Sequence, residues 1–247
     1  MPNAIELRIS ESPESLRDEV GRAIGSVLAS AVNEFGSAHL VLTGGTIGIA
    51  VLNSIPLDAV EWGAVHVWWG DERFLERVSA DRNCNQAQQN FLDRVALNAA
   101  HIHRIPSSDD VDSVQQAATS YAAELATQGE PGTNLGALPR FDLVLLGMGP
   151  DTHVASLFPG AQEPDDASIT TWAVMHSPKP PPERVSLTFS AINSAERVWL
   201  LVSDPLKADA LARVLARADD VAVPASRVHG KRETVIWTDR QTAHPGS

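Results

Sequence analysis

The sequence predicts an α/β protein: a mostly parallel, doubly wound sheet covered by helices on both faces, built as a single domain over residues 1–247. Short, continuously apolar runs alternate with stretches of helical periodicity from one end to the other, as expected of parallel strands buried on both faces. No internal repeat, low-complexity tract or linker divides the chain. With 43% hydrophobic and 20% charged residues, it has ample material for a core.

Each element follows from local pattern. Ile5, Leu7 and Ile9 alternate with polar neighbours, as in a half-buried strand. Ser12-Pro13-Glu14 then supplies a cap, a first-turn proline and an early acid. Leu16, Val20, Ile24, Val27, Ala31 and Phe35 recur at steps of three and four, so a helix with one apolar face runs to Gly36. His39–Leu42 is a buried-type strand that stops at Thr43-Gly44-Gly45-Thr46, and Ile47–Ile55 continues as a helix. Val65–Trp69 is a strand ending in a loop, Gly70-Asp71-Glu72-Arg73, with a helix over Asn85–Val95 after it. Val111–Ala126 is a long alanine-rich helix with Val114, Ala118, Tyr121 and Leu125 on one side, and Gly129–Pro139 is a loop by composition. Leu143–Leu146 is a pure apolar strand running into Gly147-Met148-Gly149-Pro150-Asp151-Thr152-His153. Val185–Phe189, Val198–Val202 and Val235–Trp237 are later strands, with a helix over Pro205–Ala216. Ser177-Pro178-Lys179-Pro180-Pro181-Pro182 is one stiff proline run, too short to mark a domain boundary.

The formal charge of −12 argues against a general nucleic-acid binder, whose backbone contacts need a basic surface. An anionic ligand would need a few locally placed cations. Cys84, the single cysteine, leaves no intramolecular disulfide and no thiolate zinc site, and the chain reads as cytoplasmic. Met1–Ser12 lacks a basic segment followed by an apolar one, so no signal peptide is expected. No membrane association is expected either, because no apolar stretch reaches the ~18–20 residues of a span.

In such sheets, ligands sit outside the carboxyl ends of the strands. Three segments occupy that position. Thr43-Gly44-Gly45-Thr46 reads either as a cradle of backbone amides for an anion or as a plain strand-to-helix turn. Asp71-Glu72-Arg73 is either a solvated charge run or an arginine fixed between two carboxylates for an anionic oxygen. Asp151-Thr152-His153, in a glycine-crowded turn, is either a structural loop or a carboxylate orienting an imidazole as a general base. His101-x-His103 reads as a strand edge rather than a metal site, since no third ligand is adjacent, and Cys84 as a buried or loop thiol. No Gly-x-Ser-x-Gly elbow occurs.

Further segments join these in order: Trp69-Gly70-Asp71-Glu72-Arg73-Phe74, Asn83-Cys84-Asn85, Asp142–Gly160, Pro182-Glu183-Arg184-Val185-Ser186-Leu187-Thr188, and Leu201-Val202-Ser203 with Lys207-Ala208. The ordered set, covering nearly the whole chain, resembles the 6-phosphogluconolactonase family, in a superfamily with glucosamine-6-phosphate isomerases and deaminases. That resemblance implies hydrolysis of 6-phosphoglucono-1,5-lactone to 6-phosphogluconate in the oxidative pentose phosphate route, without metal or organic cofactor. It implies a phosphorylated sugar lactone as the small-molecule partner and a monomer or small homo-oligomer. Position by position, His153 matches the base and Asp151 the acid before it. Gly44, Gly45 and Thr46 match the phosphate loop, Arg73 the arginine after Gly-Asp-Glu, and Arg184 and Lys207 the later substrate-facing cations. We expect Arg73, held by Asp71 or Glu72, to meet charge developing on the carbonyl oxygen, and Arg184 and Lys207 to grip the phosphate.

Two single positions and one segment depart from the family pattern: Thr152 stands where glycine is usual, Asp204 where glycine often precedes the lysine helix, and Thr43-Gly44-Gly45-Thr46-Ile47-Gly48 replaces Ser-Gly-Gly-Ser-Thr-Pro. The isomerases tend to read Phe-Asn-Glu-Pro after the Asp-x-His turn and to carry tyrosine after Asp-Glu. Ser156-Leu157-Phe158-Pro159 and Arg73 favour the lactonase instead. A sugar-phosphate sensor with a DNA-reading segment is disfavoured, since the residues before Leu40 are acidic and offer only one helix and a strand.

Overall fold

The computed structural model describes residues 4–129, 138–164, 166–216 and 221–245. The chain runs β1 (Ile5–Ser10), α1 (Pro13–Phe35), β2 (Ala38–Leu42), α2 (Gly45–Leu52), β3 (Val65–Trp69), β4 (Asp71–Arg73), α3 (Asn83–Asn90) and α4 (Val114–Thr127). It continues with β5 (Leu143–Gly147), β6 (Thr171–Val174), β7 (Arg184–Leu187), α5 (Phe189–Asn193), β8 (Arg197–Val202), α6 (Ala208–Leu215), β9 (Glu233–Asp239) and α7 (Arg240–Ala243). Six strands form one sheet in the order β1-β9-β8-β5-β2-β3, and every neighbouring pair is parallel. Every residue of β2 and β3 is buried, whereas in β1 only Ser10 is buried and Glu6 and Ile9 are exposed, which is the difference between a strand covered on both faces and one partly in solvent.

Element ends follow capping chemistry. Ser12 and Ser15 form a reciprocal capping box in front of α1, and Gly36 closes that helix at φ 80°. The predicted Ile47–Ile55 helix begins two residues earlier, at Gly45, because Gly44 serves as the N-cap. The helix expected over Val111–Ala126 starts at Val114, where the Ser113 side chain accepts the Gln116 amide. The Asn85–Val95 helix is shifted and shorter: the Glu72 carboxylate accepts the amides of Asn83 (2.8 Å) and Cys84 (2.9 Å), so α3 starts at Asn83. Pro205–Lys207 forms a 3₁₀ turn before α6. Residues 130–137 of the expected Gly129–Pro139 loop lie outside the described residues.

One expectation is corrected. Gly70–Arg73 is not simply a loop: Asp71–Arg73 is β4, in a second, antiparallel sheet of order β4-β7-β6. The chain leaves the large sheet at Gly70, whose amide still donates to Leu42 O (2.9 Å) while its carbonyl accepts Leu187 N–H (2.8 Å). Three charged residues carry no apolar alternation, so their pairing comes from β7, more than a hundred positions along the chain.

Candidate active site

The chain leaves β2 towards β3 on one side and β5 towards β8 on the other, so the order of connection reverses between the neighbours β2 and β5. A crevice opens beyond their carboxyl ends, where ligands bind in open α/β sheets. Thr43 ties the two ends together, its Oγ1 accepting the Gly147 amide at 3.0 Å. The cleft here has a volume of about 370 Å³. Gly44, Gly45 and Thr46 form one wall, and Arg73, Arg184, Lys207 and His153 point chemistry into it; Asp151 stands behind His153. Larger clefts of about 760 and 880 Å³ contain no histidine or lysine. Size alone therefore does not identify the site.

At the first wall, Gly44 caps α2 with no side-chain acceptor, leaving the amides of the first turn for an anion. A Cβ on Gly44 would lie 2.1 Å from Asn83 Oδ1, so the missing side chain lets Asn83, at the start of α3, approach the first wall. Asn83 in turn donates to Asp71 O (2.9 Å) and Oδ1 (3.3 Å).

At the turn after β5, Asp151 Oδ1 lies 2.5 Å from His153 Nδ1. A carboxylate accepts only, so Nδ1 carries the proton and the Nε2 lone pair is the basic one. The turn is closed by Gly149 N–H to His153 O (3.0 Å) and Thr152 N–H to Gly149 O (2.9 Å). A Cβ on Gly149 would fall 2.2 Å from the imidazole. Phe158 stacks on that ring at 4.6 Å between centroids. Burial lowers the basicity of His153, Asp151 raises it and Lys179 lowers it again, and the net direction is down from the ordinary value. Thr152 takes φ 72°, the left-handed angle glycine would supply, with its carbonyl accepting Ala225 N–H (3.0 Å) and its side chain fully buried.

The charged residues of β4 have other partners than expected. Asp71 accepts Ser156 Oγ–H at 2.6 Å and lies 3.9 Å from Arg184. Glu72, 1% exposed, accepts three amides and faces Arg82 at 3.7 Å, while burial pushes its carboxyl upward against these partners. Glu72 thus holds only the Arg73 amide, and the Arg73 guanidinium donates instead to Asp81 O at 2.5 Å.

The family described as Glucosamine-6-phosphate isomerases/6-phosphogluconolactonase matches residues 11–237. The 6-phosphogluconolactonase of Streptomyces coelicolor is 40% identical over 249 residues, covering 98% of this chain and 95% of the relative. That of Mycobacterium tuberculosis is 40% identical over 230 residues, covering 90% and 91%. The chain belongs to this family. The solved 6-phosphogluconolactonase of Thermotoga maritima superposes with a TM-score of 0.81 at 25% identity, covering 96% of this chain and all of that one. A monomeric glucosamine-6-phosphate deaminase shares the fold, at a TM-score of 0.79 and 18% identity.

Within this lactonase-family chain, Lys207 lines the cleft from the turn before α6, and burial pulls its basicity down while Asp204 opposes that. Asp204 also caps the turn, its Oδ1 accepting Leu206 N–H at 2.9 Å. Arg184 lines the cleft, but its Nε donates to Pro181 O (3.1 Å) and its Nη2 to Lys179 O (3.2 Å) and Pro180 O (3.1 Å). Sequence reasoning missed Lys179, which also lines the cleft, and the Ser156–Asp71 and Phe158–His153 contacts. A lysine inside a proline run was the available signal for the first; nothing local marks the other two.

The remaining histidines with structural roles stack elsewhere. His39 and His66 are opposite each other near the start of β2 and β3, and His101 and His103 join them. His103 pairs with Glu124 at 2.6 Å and with His66 at 3.0 Å, and Trp68 Nε1–H donates to His39 at 3.2 Å. Among the described residues no three His, Cys, Asp or Glu side chains converge as metal ligands.

Proposed function

We propose that this protein hydrolyses 6-phosphoglucono-1,5-lactone to 6-phosphogluconate, in the cytoplasm and as a step of the oxidative pentose phosphate route. The observation that carries this reading is His153, tautomer set by Asp151, in a cleft rimmed by free helix-start amides and lysine and arginine cations. The 40%-identical relatives named 6-phosphogluconolactonase support the substrate class.

A lactone carbonyl is already electrophilic, so a positioned water and a base suffice. His153 Nε2 takes a proton from water as its oxygen bonds to the carbonyl carbon. Arg73 meets the negative charge that develops on the carbonyl oxygen. The ring C–O bond then breaks, and the imidazolium returns the proton to the departing ring oxygen. The phosphate sits against the amides of Gly44, Gly45 and Thr46, with Lys207 as the direct cation. Arg184 serves this side by bracing the 179–181 backbone.

The test is a coupled assay with freshly made 6-phosphogluconolactone, corrected for spontaneous opening, beside ammonia release from glucosamine 6-phosphate. Enzyme-dependent formation of 6-phosphogluconate with no ammonia is expected. Ammonia release without lactone turnover would replace this reading with the deaminase one.

A further inference from the structure

The segment Ser177–Pro182 forms a strap beside the cleft, which it lines through Lys179. Its ends are tied, Ser177 N–H donating to Pro182 O (2.9 Å), and its interior is fixed by Ser177 Oγ, which both donates to Lys179 O (2.8 Å) and accepts Lys179 N–H (3.2 Å). Underneath, the Arg184 guanidinium donates to the carbonyls of Lys179, Pro180 and Pro181. A proline-rich backbone with the carbonyls of Lys179, Pro180 and Pro181 all held has little freedom, so Lys179 is presented in one place. Its Nζ lies 3.4 Å from Asp151 Oδ1 and 3.2 Å from His153 Nδ1. Both nitrogens are donors, and they converge on the same carboxylate oxygen.

We propose that Lys179 is a positioning residue for the general base: by sharing the Asp151 carboxylate with His153, its ammonium keeps the imidazole in the neutral, Nδ1-protonated form that accepts a proton from water. This rests on the reading of His153 as the base. An unshared carboxylate beside an imidazole favours the imidazolium, which has no lone pair to offer. A cation on that carboxylate offsets the attraction, and it lies close enough to oppose a second positive charge on the ring. The charged groups facing His153 are Asp151 from its own turn, Lys179 from the strap and Asp71 from β4; Phe158 covers a ring face. Of the three, Lys179 alone carries positive charge. Lys207, paired electrostatically with Asp204, lies near Lys179 and reinforces the same sign.

The test compares the wild type with Lys179→Met and Lys179→Arg in two readouts. The first is the pH profile of kcat/KM for lactone hydrolysis. The acid limb of Lys179→Met should move to higher pH by about one unit with its plateau retained, and Lys179→Arg should return it. An unmoved acid limb would overturn the proposal, as would loss of the plateau without a shift, which would make Lys179 a substrate contact. The second readout is the NMR titration of the His153 ring in the ligand-free protein, assigned by its absence from the His153→Gln spectrum. The same upward shift is expected in Lys179→Met, and no shift would overturn the proposal. Because this readout needs no substrate, a shift in a protein inactive on the lactone would sustain the role of Lys179 while refuting the lactonase reading.

Discussion

Asp151 and His153 are two positions apart, but their side chains meet only because residue 149 has no Cβ. A methyl there would stand 2.2 Å from the imidazole. Gly149→Ala should therefore turn the ring away and cost lactone turnover on the order of the 10²–10⁴-fold that general-base help supplies, with the fold retained by circular dichroism. Unchanged kcat would show that the ring position does not matter. Thr152 shows that this turn can hold a β-branched residue at φ 72°, its side chain buried and its carbonyl bonded to Ala225 N–H. The Asp-x-His spacing and the paired glycines were legible in the sequence because the residues of each motif are neighbours, whereas Arg184 and Lys207 came only with the family resemblance. Ser156 to Asp71 spans 85 positions and Lys179 to His153 spans 26, and local pattern carries no information about such meetings.

Among the elements, the large sheet was legible because its strands are mostly apolar runs; of the small sheet only β7 was read, as Val185–Phe189, although Phe189 opens α5, because β4 is wholly charged and β6 is only partly buried. Glu72 links β4 to α3 by accepting the Asn83 and Cys84 amides beside the buried Arg82. Glu72→Ala leaves that guanidinium without a counter-charge and the start of α3 uncapped. A loss of about 3 kcal/mol is expected from urea unfolding, and an unchanged midpoint would contradict the anchoring role. Arg184 and Lys207 separate in the same way. Lys207→Ala should chiefly raise KM, as expected where a ground-state phosphate contact is removed. Arg184→Met should lower kcat as well and speed hydrogen exchange at Lys179, since the strap loses its brace. A pure KM effect in Arg184→Met would make that guanidinium a direct phosphate ligand.

For the whole molecule, the stacked histidines couple stability to pH. Burial and neighbouring histidines pull His39 down to about 3 and His66 to about 4, from an ordinary value of 6.5. The unfolded chain takes up protons below about pH 6.5 where the folded one does not, so these sites withdraw stability as pH falls from there towards 4 and 3. Glu72 and Asp142, whose carboxyls burial pushes up, act in the opposite sense. The His39 contribution is isolated by comparing His39→Gln with the wild type: the variant should lose less of its urea midpoint between pH 7 and pH 4. Equal losses would mean that His39 is protonated as readily in the folded state.

The net charge of −12 would repel a phosphorylated substrate, yet the cleft gathers Arg73, Arg184 and Lys207 at the reversal point of the sheet. Within that cleft, we propose, a neutral His153 activates water. This role is tested most directly by His153→Gln, measured for lactone hydrolysis and, by calorimetry, for binding of 6-phosphogluconate. Turnover should fall at least about 100-fold while product affinity stays close to wild type. Wild-type turnover in the variant would contradict that role.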